Sequence, residues 1–103
     1  MELRHLRYFI AVAEELHFGR AAVRLNISAP TLTTQIQGLE SLLRVKLFER
    51  KTKKAVSLTN AGMRFLDEAR ATIRQAEVAE HIGRQAGLGE EARSQSGTYS
   101  PQR

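Results

Sequence analysis

Between residues 18 and 43, two short apolar-patterned segments flank Asn26-Ile27-Ser28, and this break limits the chain's possible folds more than any other feature. The first segment, Phe-Gly-Arg-Ala-Ala-Val-Arg-Leu over 18–25, suffices for about two helical turns. The second, over 29–43, carries Leu32, Ile36, Leu39 and Leu43 at spacings of three and four, which places them on one helical face. Asn26 tolerates the left-handed conformation that ends a helix. Ile27 gives the turn an apolar plug. Ser28 suits an N-cap, and Pro30 falls in the first turn, where its missing N–H costs nothing. Ala21 and Ala22 are small enough for a close crossing. Two short helices joined by a three-residue turn predict a helix-turn-helix.

The flanking segments extend this unit. Over 2–16, Leu3, Leu6, Phe9, Ile10, Ala13 and Leu16 recur at helical spacing and predict a helix with these six on its buried face. Over 45–59 the period changes. Val45, Leu47 and Phe48, then Ala55, Val56 and Leu58, flank the polar tip Arg50-Lys-Thr-Lys-Lys54, as expected of a two-stranded hairpin, or wing. Such a hairpin is marginal alone and needs helices to pack on. A long helix then begins with Thr59 or Asn60 as cap and is expected to end near Ala86, at Gly87 and Gly89. Phe65, Leu66, Ala69, Ile73 and Ala76 form one stripe along it. Ala71, Val78, Ile82 and Ala86 form another, well round the cylinder. Two stripes call for a second surface, which a symmetric partner supplies; one helix drifting around its own core is the alternative. The expected organisation is a mainly α chain: a winged helix-turn-helix over 1–58, a linker helix over 59–87 and a disordered polar tail over 88–103.

Charge follows the same division. Residues 1–64 hold 11 basic and 5 acidic side chains, net +6, whereas residues 65–103 carry a net −1. The density peaks over Lys46–Lys54, with five basic residues and one acidic. Such a patch suits phosphate neutralisation or, alternatively, a solvated turn. With 103 residues and no Cys, the chain has no disulfide or thiolate metal site and is too short for a two-domain enzyme. No apolar run reaches the ~20 residues of a membrane span, and Arg4, Arg7, Glu14 and Glu15 interrupt any signal-like stretch. A soluble cytoplasmic protein without a membrane partner is the expectation. His5, His17 and His81 are too dispersed to suggest a metal site, and the common catalytic motifs do not occur. Neither cofactor nor catalytic residues are expected.

Met1-Glu-Leu-Arg-His-Leu-Arg-Tyr-Phe, Phe18…Ala21-Ala22…Leu25…Ser28-x-Pro30…Gln35-Ile36…Leu39-Glu40, Leu47-Phe48-Glu-Arg50 and Leu58-Thr59-x-Ala61-Gly62 occur in this order. Together they resemble the N-terminal DNA-binding domain of LysR-type transcriptional regulators over residues 1–90. The resemblance implies a recognition helix in a major groove and a wing on the backbone or adjacent minor groove. It implies a linker helix pairing two subunits as a homodimer on an interrupted palindrome near a promoter. Higher oligomers arise in full-length members, which usually carry an inducer-sensing domain that is not expected within these 103 residues. No inducer response is therefore expected. Two positions depart from the pattern: Ala29 stands where Gln is frequent, and Thr34 where Arg is frequent. Gln and Arg make bidentate contacts to adenine and guanine, so their absence shifts the expected preference towards A·T steps, shape and the wing. Arg44 stands where a helix-ending Gly is common.

The expected double-stranded DNA contacts are then specific. Ser28, Ala29 and Pro30 open the recognition helix; Thr31 and Thr34 reach the groove; Thr33 and Gln35 touch phosphates. Arg20 and Arg24, on the preceding helix, are candidates for the backbone. Arg50, Lys51, Lys53 and Lys54 form the wing. Phe65, Leu66, Ala69, Ile73, Ala76, Val78 and Ile82 are the expected dimerisation residues. Two competing readings remain at this stage: a dimerisation module that pairs with full-length regulators and modulates them, and a non-specific nucleoid-type binder.

Overall fold

The structure is a computed structural model that describes residues 1–96, with side-chain surroundings through residue 89. Its elements run α1 (Leu3–Glu15), α2 (Phe18–Leu25), α3 (Ala29–Leu43), β1 (Phe48–Arg50), β2 (Val56–Leu58) and α4 (Asn60–Ser96). The chain divides after Ile73 into a compact unit, Met1–Ile73, and a second unit beginning at Arg74. The sequence-based boundary between 58 and 59 therefore falls inside the first unit.

Each helix end has a local cause. Leu16, Asn26 and Arg44 close α1, α2 and α3 in the left-handed conformation, with φ of 53°, 60° and 59°. Asn26 is suited to this; Leu16 and Arg44 adopt it at a cost of about 1–2 kcal/mol each. The N–H of Ile27 donates to Ala22 O at 3.1 Å, completing the turn. Ser28 Oγ then accepts from the N–H of Thr31 at 3.2 Å, the expected cap of α3. Thr59, rather than Asn60, caps α4: its Oγ1 accepts from the N–H of Gly62 at 2.9 Å.

The core of the compact unit draws on every element. Leu6, Phe9 and Val12 come from α1, Phe18, Ala21 and Ala22 from α2, and Leu32, Ile36 and Leu39 from α3. Leu47, Phe48 and Val56 enter from the hairpin, Ala69 and Ile73 from α4. The Phe9 ring joins two of these layers, with centroids 5.3 Å from Phe48 and 5.0 Å from Phe65. Leu3 and Leu16, expected on the buried face, are exposed. They lie at the ends of α1, where Leu16 has already left helical geometry, and Ala11 and Val12 are buried instead.

The hairpin is antiparallel, pairing Phe48 with Leu58, Glu49 with Ser57 and Arg50 with Val56. It does not rest on packing alone. His17 forms an isolated bridge with Ala55, the N–H of Val56 donates to Leu16 O at 3.1 Å, and the N–H of Phe18 donates to Lys54 O at 3.2 Å. The α1–α2 turn thus supplies a third edge to the wing.

Two expectations for α4 need correction. The helix passes through Gly87 and Gly89 and reaches Ser96, so the polar stretch over 88–96 is helical rather than a disordered tail. Glycine ends a helix by taking a left-handed φ; neither residue does so, and the interior cost of about 1 kcal/mol each is tolerated. The rest of that expected tail, 97–103, lies outside the described residues. The stripe Phe65, Leu66, Ala69 and Ile73 does not face outward either. Ala69 and Ile73 are buried in the compact unit, and Phe65 and Leu66 pack against it. Ala69 and Ile73, expected at a dimer contact, are instead covered by the chain's own core, while Phe65 and Leu66 lie half-buried against it.

Candidate nucleic-acid interface

The opening turns of α3 and the basic hairpin meet at one cleft of about 510 Å³. Ala29, Pro30, Thr33 and Thr34 line it from α3; Arg50, Lys53 and Lys54 line it from the wing; His17, Phe18 and Gly19 close it from the start of α2. Seven of the expected DNA-contacting residues thus share one surface feature. Thr34 is exposed and Thr33 and Gln35 are half-buried. Thr31 is also exposed, and its Oγ1 accepts from Ser28 Oγ at 2.8 Å. Ser28 Oγ is therefore both acceptor from the helix backbone and donor to Thr31, which fixes the rotamers of two hydroxyl side chains on the helix's first turn. Ser28, Thr31, Gln35 and Lys51 lie outside the cleft lining.

The wing tip is ordered by its own polar groups. The N–H groups of Lys51 and Thr52 donate to Ala55 O at 2.9 and 3.2 Å. Thr52 Oγ1 accepts from the N–H groups of Lys54 and Ala55, at 3.3 and 3.0 Å. Arg50 Nη1 donates to Lys53 O at 2.9 Å, and its guanidinium lies 5.1 Å from the Phe18 ring centroid. Arg50 is thus a braced cation, held by a ring and a carbonyl, while Lys51, Lys53 and Lys54 are exposed. Arg's planar guanidinium suits this stacking, and the residue keeps donors beyond the one spent on Lys53.

Arg20 and Arg24 are placed differently from the wing cations. Arg24 bonds Glu14 at 2.6 Å and Glu15 at 3.3 Å, and Glu14 also receives Arg70 at 2.9 Å. The Arg24 hydrogen bond, then that of Arg70, holds the Glu14 carboxyl below the usual carboxylate range; the Glu14 bond correspondingly raises Arg24. Arg20 donates to Glu15 O at 3.2 Å, and its Nε lies 3.7 Å from Glu15 Oε1. Both arginines are exposed but engaged with α1, so a phosphate reaching Arg24 would compete with two carboxylates.

Three residues that shape the cleft and its supports were not singled out from the sequence. His17 Nδ1 accepts from the N–H of Arg20 at 3.0 Å, capping α2 while the ring lines the cleft. Thr52 shapes the wing tip. Glu40, 8% exposed, is the buried charged side chain among the described residues; its Oε2 accepts from the N–H groups of Leu47 and Phe48, at 2.7 and 3.3 Å. Thr52 sits within the polar tip Arg50–Lys54, a turn composition that signals such a bond. Nothing in the helical period marks Glu40, since its partners are backbone groups reached only after folding.

Against known proteins, the model of the bacterial regulatory helix-turn-helix protein, lysR family, matches residues 3–63. The chain is 59% identical over 73 residues to the uncharacterized HTH-type transcriptional regulator YnfL of Escherichia coli (strain K12), covering 71% of this chain and 24% of that protein. It is 53% identical over 90 residues to the HTH-type transcriptional regulator ClcR of Pseudomonas putida, covering 87% of this chain and 30% of that one. The chain therefore spans about a quarter to a third of the length of these curated relatives. Among solved structures, the CbnR DNA-binding domain in complex with DNA aligns with a TM-score of 0.80 at 44% identity, covering 84% of this chain and 99% of that one. The BenM DNA-binding domain bound to catB site 1 DNA gives 0.80 at 39% identity, covering 84% and 96%.

Proposed function

Because the chain belongs to the LysR family of bacterial helix-turn-helix regulators, we propose that it binds double-stranded DNA in a sequence-specific manner, as the DNA-reading part of a transcriptional regulator. The observation that carries this reading is the convergence of the α3 N-terminal residues and the wing cations on one cleft. A B-DNA major groove, about 12 Å wide, admits a helix such as α3. Ala29 and the Thr34 methyl then meet thymine methyl groups. The Thr31 hydroxyl, already an acceptor from Ser28, donates its own proton to a base edge or phosphate. Lys51, Lys53 and Lys54 neutralise flanking phosphates, and Arg50, braced on Phe18, enters beside them. DNA-bound solved relatives support this reading.

The protein acts as a dimer, and the pairing surface is the part of α4 beyond Ile73. Val78 and Ile82 are 50% and 59% exposed, and Ala76 is half-buried beside them. A second copy of α4 covers these side chains. The two recognition helices then address an interrupted palindrome.

Selection of bound duplexes from a randomised pool at near-physiological salt tests the reading. Enrichment of an interrupted palindrome is expected. A single enriched half-site would remove the dimer while leaving sequence reading intact. Retention of DNA without any enrichment would reduce the function to backbone binding.

A further inference from the structure

The short backbone segment Lys46–Phe48 is held from two sides. On one side, Glu40 of α3 accepts both N–H groups, Leu47 at 2.7 Å and Phe48 at 3.3 Å. Lys46 Nζ lies 3.8 Å from the other carboxylate oxygen. On the opposite side, the cap residue of α4 donates to the carbonyls: Thr59 N–H to Leu47 O at 3.0 Å and Thr59 Oγ1 to Lys46 O at 2.7 Å. Gly62 closes the contact from the first turn of α4. A Cβ there would stand 2.2 Å from Leu47 O, so only glycine lets the helix approach this closely. Leu47 itself is fully buried.

We infer that this clasp makes Glu40 and Thr59 positioning residues for half-site spacing: they fix the recognition helix to the start of α4 without touching DNA. The inference rests on the dimeric reading above. The physical ground is the number and direction of the bonds. Within each planar trans peptide unit the N–H and the C=O point in opposite directions. Bonding them respectively to α3 and α4 turns the segment into a strut between the two helices. Side-chain packing tolerates small sliding, whereas four polar contacts to two consecutive rigid peptide units, two of them to a buried carboxylate, do not. In a dimer joined through α4, any looseness at this strut becomes looseness in the placement of each recognition helix. One extra base pair between half-sites moves the second by about 3.4 Å and rotates it by about 34°, a step that a stiff dimer rejects.

The test uses a set of duplexes that carry the selected half-sites with the spacer at its preferred length and at one base pair shorter and longer. Wild type is expected to lose about tenfold in affinity at either altered length, an amount equal to one mismatched position. Thr59→Val keeps the side-chain shape and removes both hydroxyl bonds. It is expected to narrow that loss to about threefold or less, with affinity for an isolated half-site little changed. Thr59→Ser is expected to restore the wild-type ratio. A merely structural role would weaken all duplexes alike and leave the ratio unmoved. If Thr59→Val loses cooperative melting, Glu40→Gln, which keeps one acceptor oxygen, carries the same comparison. A spacing-selective wild type matched by equally selective Thr59→Val and Glu40→Gln would overturn the inference alone. A wild type indifferent to spacing would overturn the dimeric reading, and the inference with it.

Discussion

Residues 60–73 and 74–89 are stretches of one helix with apolar side chains at comparable intervals, yet their burial differs sharply. In the first, Ala69 and Ile73 are 1% and 9% exposed, and Phe65 sets its ring against Phe9. In the second, Val78, Ile82 and Leu88 are 50%, 59% and 61% exposed. Full burial of such side chains stabilises by about 1.5–3 kcal/mol each, so the first stretch contributes to the fold of one chain and the second holds that contribution in reserve. A helical stripe states that a face is apolar. It does not state what covers it, and along this helix the chain's own core covers the first stretch and leaves the second exposed.

Charged substitutions separate the two stretches. Ile73→Asp places a carboxylate in the core and is expected to destabilise the compact unit by about 4 kcal/mol, measurable as a loss of cooperative thermal melting. Val78→Asp is expected to change the melting of a dilute monomer by no more than about 0.5 kcal/mol while abolishing dimers in sedimentation experiments. Equal effects of the two substitutions would erase the distinction between the stretches.

The wing sharpens the same contrast, because Lys51, Lys53 and Lys54 are exposed rather than packed into the fold. Lys53→Ala with Lys54→Ala is expected to leave melting unchanged and to flatten the slope of log affinity against log salt by up to ~2. An unchanged slope would remove both lysines from the interface.

Smaller effects concern the docked unit alone. Arg44 occupies a left-handed position at φ 59°. Arg44→Gly is expected to raise stability by roughly 0.5–1 kcal/mol, since glycine avoids the Cβ penalty and gives back part of the gain as chain entropy. Glu14 joins Arg24 of α2 to Arg70 of α4, and its carboxyl is held below the usual range. A depressed carboxyl contributes stability above its unfolded pKa, and that contribution is lost as pH falls through the folded value. Glu14→Gln is therefore expected to lower stability at pH 7 by up to about 1 kcal/mol, the range of an exposed pair. The difference should shrink in acid, as melting curves at pH 7 and below the carboxylate range would show.

Much of this architecture was legible before folding. The bounds of α2 and α3 follow from Asn26, Ser28 and Pro30, residues whose backbone preferences act locally. The cleft residues on α3 and the wing were among those that the family resemblance singled out. What escaped notice depends on contacts distant in sequence. The role of Glu40 rests on backbone partners at 47 and 48 that meet it only once the chain has folded. The strand-like edge at Leu16–Phe18 pairs with residues nearly forty positions away. The end of α4 was misread because Gly87 and Gly89 signal a stop only when the chain turns left-handed there.

The absence of cysteine offers a direct test of the central claim, that α3 reads the groove while the wing flanks it. Single substitutions Thr34→Cys, Lys53→Cys and Ile82→Cys each give one attachment point for an iron chelate that cleaves nearby DNA. The account predicts localised cuts within the half-site from position 34 and cuts at its flank from position 53. Position 82, assigned to the partner helix, should give no cuts beyond background. Uniform cleavage from position 34, or stronger cleavage from position 82 than from 53, would contradict it.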